Sequence, residues 1–552
     1  MPAGFNYWKS INYNRMHKVL PHYFNKWLYL FVFIAGALTV FAFSPFNIYP
    51  LAWLTPAVLF FALVKANTAK QSFYLGWLFG IGLFGAGASW PFYSMYFFAH
   101  APLILALGAT ALFVVIVAFF STGLFGLLAN LFRTTPLLTR LLLFYPASWV
   151  FIEWTRNWLF TGFPWLYLGN SQIDTVFSGF APITGVLGLS WICTLIAGAI
   201  VSFIVGNSAH RNVPIETPHT QGMKQQALVE ERFGASSRIL SAVLMVFLVA
   251  ASWSLKQINW TTASGKPFTA SVLQGNFSQL EKLNPANLDT MISQYQAMTK
   301  QAWESDLIVW PETALFAPFN NHMDALILPL QQSLQASPKS ANKSILIGGF
   351  FVNEQNGVEN SVLALSAENR QIYSKRHLVP FGEYIPLLDY IRWLGRWIEL
   401  PYSNITAGQN DGTLQVVGQT AQLGICYEDA FGNEVIKSLP RSSLLINVTH
   451  DGWFTGSLEP AQHMQIARMR SLETGRYMVR ATTTGPAGII DEKGKLVATA
   501  ATHTRQIITH KVQPMTGATP YVKWGNSLVV GLSTLILLFG MILAKKGNSD
   551  MS

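Results

Sequence analysis

The chain has 552 residues, 51% of them hydrophobic and only 12% charged, with a formal net charge of +10 and two cysteines. Soluble domains carry about a quarter charged residues, so a wholly water-soluble protein is excluded. Nucleic acid is not the expected partner either: Lys9, Arg15, Lys18 and Lys26 precede the first apolar run with no acid among them, the pattern of a membrane protein's cytoplasmic end.

Crossing a membrane takes about 20 apolar residues. Candidate spans lie near 27–44, 47–65, 72–93, 103–132, 137–154, 183–205, 238–256 and 525–544. The first is not expected to be a removable signal peptide, because its leader is long and polar and no small-residue cleavage site follows. The first two must turn tightly at "SPFN", Ser44 to Asn47. The third, fourth and sixth are rich in Gly and Ala, which lets helices approach closely in lipid.

Lys and Arg set the orientation. Loops with Lys65 and Lys70, with Arg133 and Arg140, and with Arg211, Lys224, Arg232 and Arg238 are expected in the cytoplasm. The 94–102 loop has neither residue type, the 155–182 loop has only Arg156, and Lys545 and Lys546 follow the last span. Both termini then lie inside and the polar block 257–515 outside. The expected division is a membrane domain over 1–256 with about seven helices, a catalytic domain over 257–515, and a last helix and tail over 516–552.

In the polar block, Phe268–Gln274 reads as a strand, and Leu288, Met291, Ile292 and Tyr295 recur at helical spacing. "DLIVW" (306–310), "SILIGGF" (344–350), "SVLALS" (361–366), "AQLGI" (421–425) and "SLLINV" (443–448) read as short buried strands. Helical patterns lie near 321–337 and 460–474, and strands from "PAGII" to "RQIITHKV" close the block. The alternation predicts a layered α/β domain.

Three polar clusters follow strands. "WPET" puts Glu312 past "DLIVW", "QIYSK" ends on Lys375 with Glu383 eight positions on, and "CYED" puts Cys426 past "AQLGI". Strand-end loops on a rigid sheet are common places for catalytic groups. The set suits nucleophilic acyl transfer: a carboxylate can take the thiol proton, and a lysine can stabilise an oxyanion. Cys193 lies in an apolar run, so Cys426 is an unpaired thiol in a block expected outside the cytoplasm, worth attention as a reactive group. Each residue also has a plainer reading. Glu312 could favour a helix N-terminus, Lys375 could be a solvated strand-end lysine, Glu383 could form a surface bridge, and Cys426 could be a small buried hydrophobe. Spacing alone leaves open whether they meet. In "YIRWLGRWIEL" (390–400), Ile391, Leu394 and Ile398 fall at helical spacing and Trp393 and Trp397 lie four apart, which fits either a core-packed helix or an amphipathic lid in the outer leaflet.

"WPET", "KRHLVPFGEYIP" and "GICYE" resemble the Glu-Lys-Cys motifs of the nitrilase superfamily. With the membrane frame, "EWTRNWLFTGFPW" (153–165) and "QHMQIARMRSLETGRY" (462–477), the chain is similar over essentially its whole length to the apolipoprotein N-acyltransferases of the bacterial inner membrane. The resemblance implies an αββα sandwich outside the cytoplasm and a ping-pong reaction without metal or cofactor. Cys426 would take an acyl chain from a phospholipid as a thioester and pass it to the amino group of a diacylglyceryl-cysteine on an apolipoprotein. Glu312 would be the base, Lys375 the oxyanion stabiliser, Glu383 its support, and Tyr427 and Glu428 would shape the site. A monomer among membrane lipids is expected. Two departures stand out. Leu283 follows Lys282 where the family often has Trp, and His450–Asp451 replace a common Asn-Asp. Leu283 is expected to contact lipid; a Cys426–His450 dyad is the weaker alternative to Glu312 as base. A tethered amidase of the same superfamily is the competing enzyme, although one helix would serve as its anchor. A transporter is disfavoured, because the spans offer little ionisable beyond Glu153.

Overall fold

The computed structural model describes residues 26–208, 221–337, 342–386 and 404–549. All eight apolar runs are helical. Among the described residues, four helices are long and apolar enough to cross a membrane: Leu103–Leu131, Val176–Val205, Ile239–Lys256 and Ser527–Lys545. The bent pair Ala69–Gly87 and Pro91–Phe98 makes a fifth if it forms one span, and Lys26–Ala42 and Leu51–Val64 are apolar but shorter. The small residues act as expected. A Cβ on Gly76 would lie 2.0 Å from the Thr122 carbonyl oxygen, and one on Gly82 2.2 Å from that of Phe33, so backbones touch where any side chain would hold them apart.

The described residues of the polar block form two six-stranded sheets and a small ribbon. The strands are β1 (Thr261–Ala263), β2 (Phe268–Gln274), β3 (Leu307–Val309), β4 (Ser344–Val352), β5 (Val358–Leu365), β6 (Arg370–Ser374), β7 (Thr413–Val416), β8 (Gln419–Ile425), β9 (Leu444–Thr449), β10 (Met478–Thr482), β11 (Gly488–Ile490), β12 (Leu496–Thr499), β13 (Gln506–Val512) and β14 (Met515–Gly517). One sheet runs β13-β2-β3-β4-β5-β6 and the other β12-β11-β10-β9-β8-β7. Each has a parallel trio at its centre, β2-β3-β4 and β8-β9-β10. The β1–β14 ribbon ties the chain's entry from one apolar helix to its exit towards the last.

Alternate residues of each strand face opposite layers. Val272, Val309 and Leu346 pack on Leu423, Ile446 and Val479 between the sheets. Leu273, Ile308 and Ile345 face outwards onto Tyr295 and Met298 of helix Leu288–Gln301. Leu445, Met478 and Ile490 face Met464 and Ala467 of helix Glu459–Thr474. The result is the expected αββα sandwich, and burial on both faces explains why its strands read as continuous apolar runs. Tyr427, Ala430, Phe431 and Ile466 belong to the same apolar cluster as Trp165 and Leu166, so the core of the membrane helices extends to the turn carrying Cys426.

Candidate active site

β3, β6 and β8 end at one place and deliver Glu312, Lys375 and Cys426 to it. Lys375 is buried, with its Nζ 2.8 Å from Glu383 Oε1 and 3.8 Å from Glu312 Oε1. Asn360 on β5 donates to both carboxylates, at 2.7 Å to Glu312 and 3.0 Å to Glu383. The second oxygen of Glu383 accepts from the Val379 amide at 2.8 Å. A buried ammonium is costly unless paired, and here two carboxylates face it. Burial pulls the Lys375 pKa down, but Glu383 and Glu312 outweigh it and hold the group above its usual value. Burial pushes the Glu312 carboxyl above the ordinary carboxylate range, against the pull of Lys375. Its Oε2 is buried without a hydrogen-bond partner.

Cys426 sits at the junction of β8 and a tight helical turn, Cys426–Ala430, with φ +53°. A non-glycine residue there costs of order 1–3 kcal/mol. Glu428 offsets that cost. One of its oxygens accepts from the Tyr373 hydroxyl (2.7 Å) and the Ile425 amide (2.7 Å), the other from the Arg376 (2.8 Å) and His377 (3.1 Å) amides. Hydrogen bonds to a charged group contribute about 1.5–3 kcal/mol each. Glu428 therefore welds the thiol's turn to the lysine's loop and has no oxygen left for proton transfer. Asn447 donates to the Cys426 carbonyl at 3.2 Å. Cys426 keeps partial exposure, yet its thiol is pushed up to about 12 by burial and by Glu312, against the pull of Lys375. The resting group is a neutral thiol within the field of a carboxylate.

Behind the turn lies a buried charge network. His463 donates to Asp429 at 2.9 Å and faces Asp451 and Glu459, each at 3.3 Å; Arg480 pairs with Asp429 at 2.9 Å. Burial and Arg480 press the His463 pKa down, but Asp429 and Asp451 outweigh them and raise it well above its usual value. Glu459 is pushed up to about 7 by burial and by Asp451. Asp451, Glu459 and His463 place ligand-type atoms within 4.8 Å of one another, but His463 and Arg480 already supply positive charge there. His450 has its Nε2 against Gln279 Oε1, and burial together with Lys282 lowers its pKa well below the usual value.

The remaining wall comes from the membrane domain. The Tyr427 hydroxyl donates to the Gly162 carbonyl at 3.0 Å, and the ring stacks 6.3 Å from Trp165. Trp165 Nε1 donates to Gln462 Oε1 at 2.6 Å, and Arg156 donates to the Trp165 carbonyl at 2.9 Å. His377 Nε2 lies 2.8 Å from the Thr161 carbonyl oxygen, and its ring stacks on Phe431 at 3.8 Å. Leu283, half-buried, ends the short helix Gln279–Leu283. Trp393 and Trp397 lie outside the described residues. Sequence reasoning missed Asn360, Asn447, Arg480, His463 and Trp165; the signal available was a polar residue inside an otherwise apolar strand for Asn447 and Arg480.

The sequence model of the apolipoprotein N-acyltransferase N-terminal domain matches residues 35–199, and that of the carbon-nitrogen hydrolases matches residues 269–521. The chain is 38% identical to the apolipoprotein N-acyltransferase of Methylococcus capsulatus, covering 95% of this chain and 97% of the relative. It is 35% identical to that of Coxiella burnetii (92% and 98% covered) and 37% to that of Nitrosomonas europaea (94% and 97%). Among solved structures, XC1258 of Xanthomonas campestris, a CN-hydrolase superfamily protein, aligns with a TM-score of 0.34 at 17% identity, over 45% of this chain and 91% of that one. Nit3 of Saccharomyces cerevisiae aligns with a TM-score of 0.33 at 16% identity, over 46% and 93%.

Proposed function

The chain belongs to the apolipoprotein N-acyltransferase family, and from that premise we propose that Cys426, Glu312 and Lys375 carry its acyl transfer. The enzyme is an acyltransferase that N-acylates apolipoproteins, a step of lipoprotein maturation. In the first half-reaction Glu312 takes the thiol proton as sulfur attacks the ester carbonyl of a phospholipid. Lys375 stabilises the oxyanion, and the proton passes to the departing lysolipid oxygen as the thioester forms. In the second, the acceptor's amine attacks the thioester, Glu312 removes the amine proton, and the thiol is regenerated with the amide. The observation that carries this reading is the convergence of a neutral thiol, a carboxylate with an unpartnered oxygen and a doubly paired lysine at three strand ends. Glu383 and Asn360 aim the lysine, and Glu428 and Tyr427 hold the thiol's turn.

The donor is a phospholipid and the acceptor a diacylated apolipoprotein. The enzyme acts as a monomer in the bacterial inner membrane, with the sandwich on the periplasmic side. Leu283 packs against the acyl chain. The packing of Tyr427 on Trp165 favours a lipid substrate over the small amide of a tethered hydrolase, because the membrane domain then helps form the site. Intact-protein mass spectrometry after incubation with phospholipid alone should show one fatty-acyl adduct on Cys426, lost when a diacylated lipopeptide is added. Turnover without any Cys426 adduct would overturn the thioester route. Accessibility fusions after Lys224 and after Gly357 should report opposite sides of the membrane; the same side for both would overturn the topology.

A further inference from the structure

We propose that Lys282 is a positioning residue for Glu312: its buried ammonium clamps the Glu312–Thr313 turn in a left-handed conformation and so aims the carboxylate at Cys426. The inference rests on the assignment of Glu312 as base. Lys282 Nζ donates to Thr313 Oγ1 at 2.7 Å and reaches the Glu312 carbonyl oxygen at 3.4 Å. The side chain is 2% exposed, and among the described residues no carboxylate lies within salt-bridge distance of it. A lysine buried without a carboxylate at salt-bridge distance is expensive, and burial draws this one down to about 7 against the weaker pull of the nearby Glu312. A chain selected only for stability would place an apolar residue there.

The local backbone shows what the lysine holds. Thr313 has φ +45°. A β-branched residue at positive φ is a genuine outlier, kept only where its surroundings over-determine it. On the opposite side, a Cβ on Gly348 of β4 would lie 2.1 Å from the Pro311 carbonyl oxygen and 2.8 Å from the Glu312 Cα. The Glu312 backbone is thus confined between β4 and Lys282, and Asn360 fixes Oε1 at 2.7 Å. Oε2 alone is left without a partner, as a proton acceptor requires. Lys282 is itself held by a capping box, in which the Ser278 amide donates to Glu281 at 2.8 Å. Gln279, three residues before Lys282 and so on the same helix face, contacts His450 and anchors that face to the other sheet.

The test is a double-mutant cycle on the full-length enzyme in detergent, read as single-turnover acylation of Cys426 by a phospholipid in mixed micelles. Lys282→Met should slow acylation by about 10- to 100-fold, the scale of a displaced catalytic group. Its melting temperature should equal or exceed that of wild type, since a costly buried amine is removed; a purely structural lysine would lower it instead. Glycine adopts positive φ without the clamp. In a Thr313→Gly background, Lys282→Met should therefore cost less than about threefold. An equal loss in both backgrounds would mean the lysine acts through its charge and would overturn the clamp, as would a wild-type rate for Lys282→Met. Glu312→Gln run alongside separates the two ideas. A wild-type rate there removes the base assignment itself, whereas a slow Glu312→Gln with a fast Lys282→Met removes only the positioning role.

Discussion

The two sides of Cys426 are made of different material. On the sandwich side the neighbours are charged and each is fixed by others: Lys375 by Glu312 and Glu383, both carboxylates by Asn360, Glu428 by four donors. On the membrane side the neighbours are rings and backbone carbonyls. Trp165 lies against Tyr427 and Trp90, and Thr161 and Gly162 offer only their oxygens. That loop takes positive φ at three successive residues, Phe160, Thr161 and Gly162. Charges held in a low-dielectric site do chemistry; apolar walls with strained backbone select and orient what enters. The two sides should therefore fail differently: loss on the sandwich side harms every substrate, and loss on the membrane side harms lipids first.

The largest effect belongs to Cys426→Ser, which should abolish acyl transfer with phospholipid and with a small soluble ester alike while the protein still folds. Retained turnover of a diacylated lipopeptide would break the comparison at its base. Glu312→Gln and Lys375→Met should each slow thioester formation by at least about 100-fold, again with both donors. The pH profile gives the sign. Glu312 must be ionised to accept the proton, and burial raises its pKa, so the wild-type rate falls with decreasing pH through a limb above the ordinary carboxylate range. In Glu312→Gln that limb disappears, and the residual rate climbs with pH towards the thiol's own pKa, which burial still raises but Glu312 no longer does. An unchanged acid limb in Glu312→Gln would assign the base elsewhere.

On the membrane side, Trp165→Phe keeps a ring and removes the donor to Gln462, whose amide nitrogen is already unpartnered. Leaving a buried acceptor unsatisfied costs about 1–3 kcal/mol, a melt lower by a few degrees. Because Trp165 backs Tyr427 next to the thiol, lipid acylation should drop about tenfold from misplacement, and reaction with the small ester should change far less. Equal losses with both donors would erase the distinction between the two walls.

Much of this was legible in the sequence, for physical reasons. Each apolar run is long enough to demand a helix, and the sandwich strands are buried on both faces and so stand out as unbroken apolar segments. Glu312, Lys375 and Cys426 were legible as candidates because each stands just past or at the end of an apolar strand, and those strands end at one place in the fold. β10 was missed because "MVRAT" carries Arg480, which is buried only because Asp429 and Asn447 wait for it 51 and 33 positions earlier. Asn360 was missed for the same reason, since its two carboxylate partners lie 48 and 23 positions away. The left-handed backbone at Thr313 and Cys426 has no signature in the residue types, which elsewhere avoid it. The partnership of Trp165 with Gln462 spans 297 positions and two domains, beyond any local pattern.

The smallest effect is expected at the rim of the same junction, where an ion pair looks important and should not be. Arg468, on the helix that carries Gln462 and His463, donates to Asp174 of the membrane domain at 2.9 Å through Nη1, and its Nη2 meets the second carboxylate oxygen. The Asp174 side chain is 36% exposed, so water and salt screen the pair; exposed pairs contribute about 0–1 kcal/mol. Arg468 also keeps a bond of 2.8 Å to the Gly494 carbonyl that does not involve Asp174. Asp174→Asn should lower the melting temperature by no more than a degree or two and leave lipid acylation within about twofold of wild type, and the small difference should shrink further as salt is raised. Trp165→Phe, at a site nearly free of solvent, should keep its full effect at every salt concentration. If Asp174→Asn instead slowed lipid acylation as much as Trp165→Phe, and salt reproduced the loss in wild type, the domains would be held in register by charge at the rim. The apolar wall would then be a passenger rather than the element that positions Tyr427.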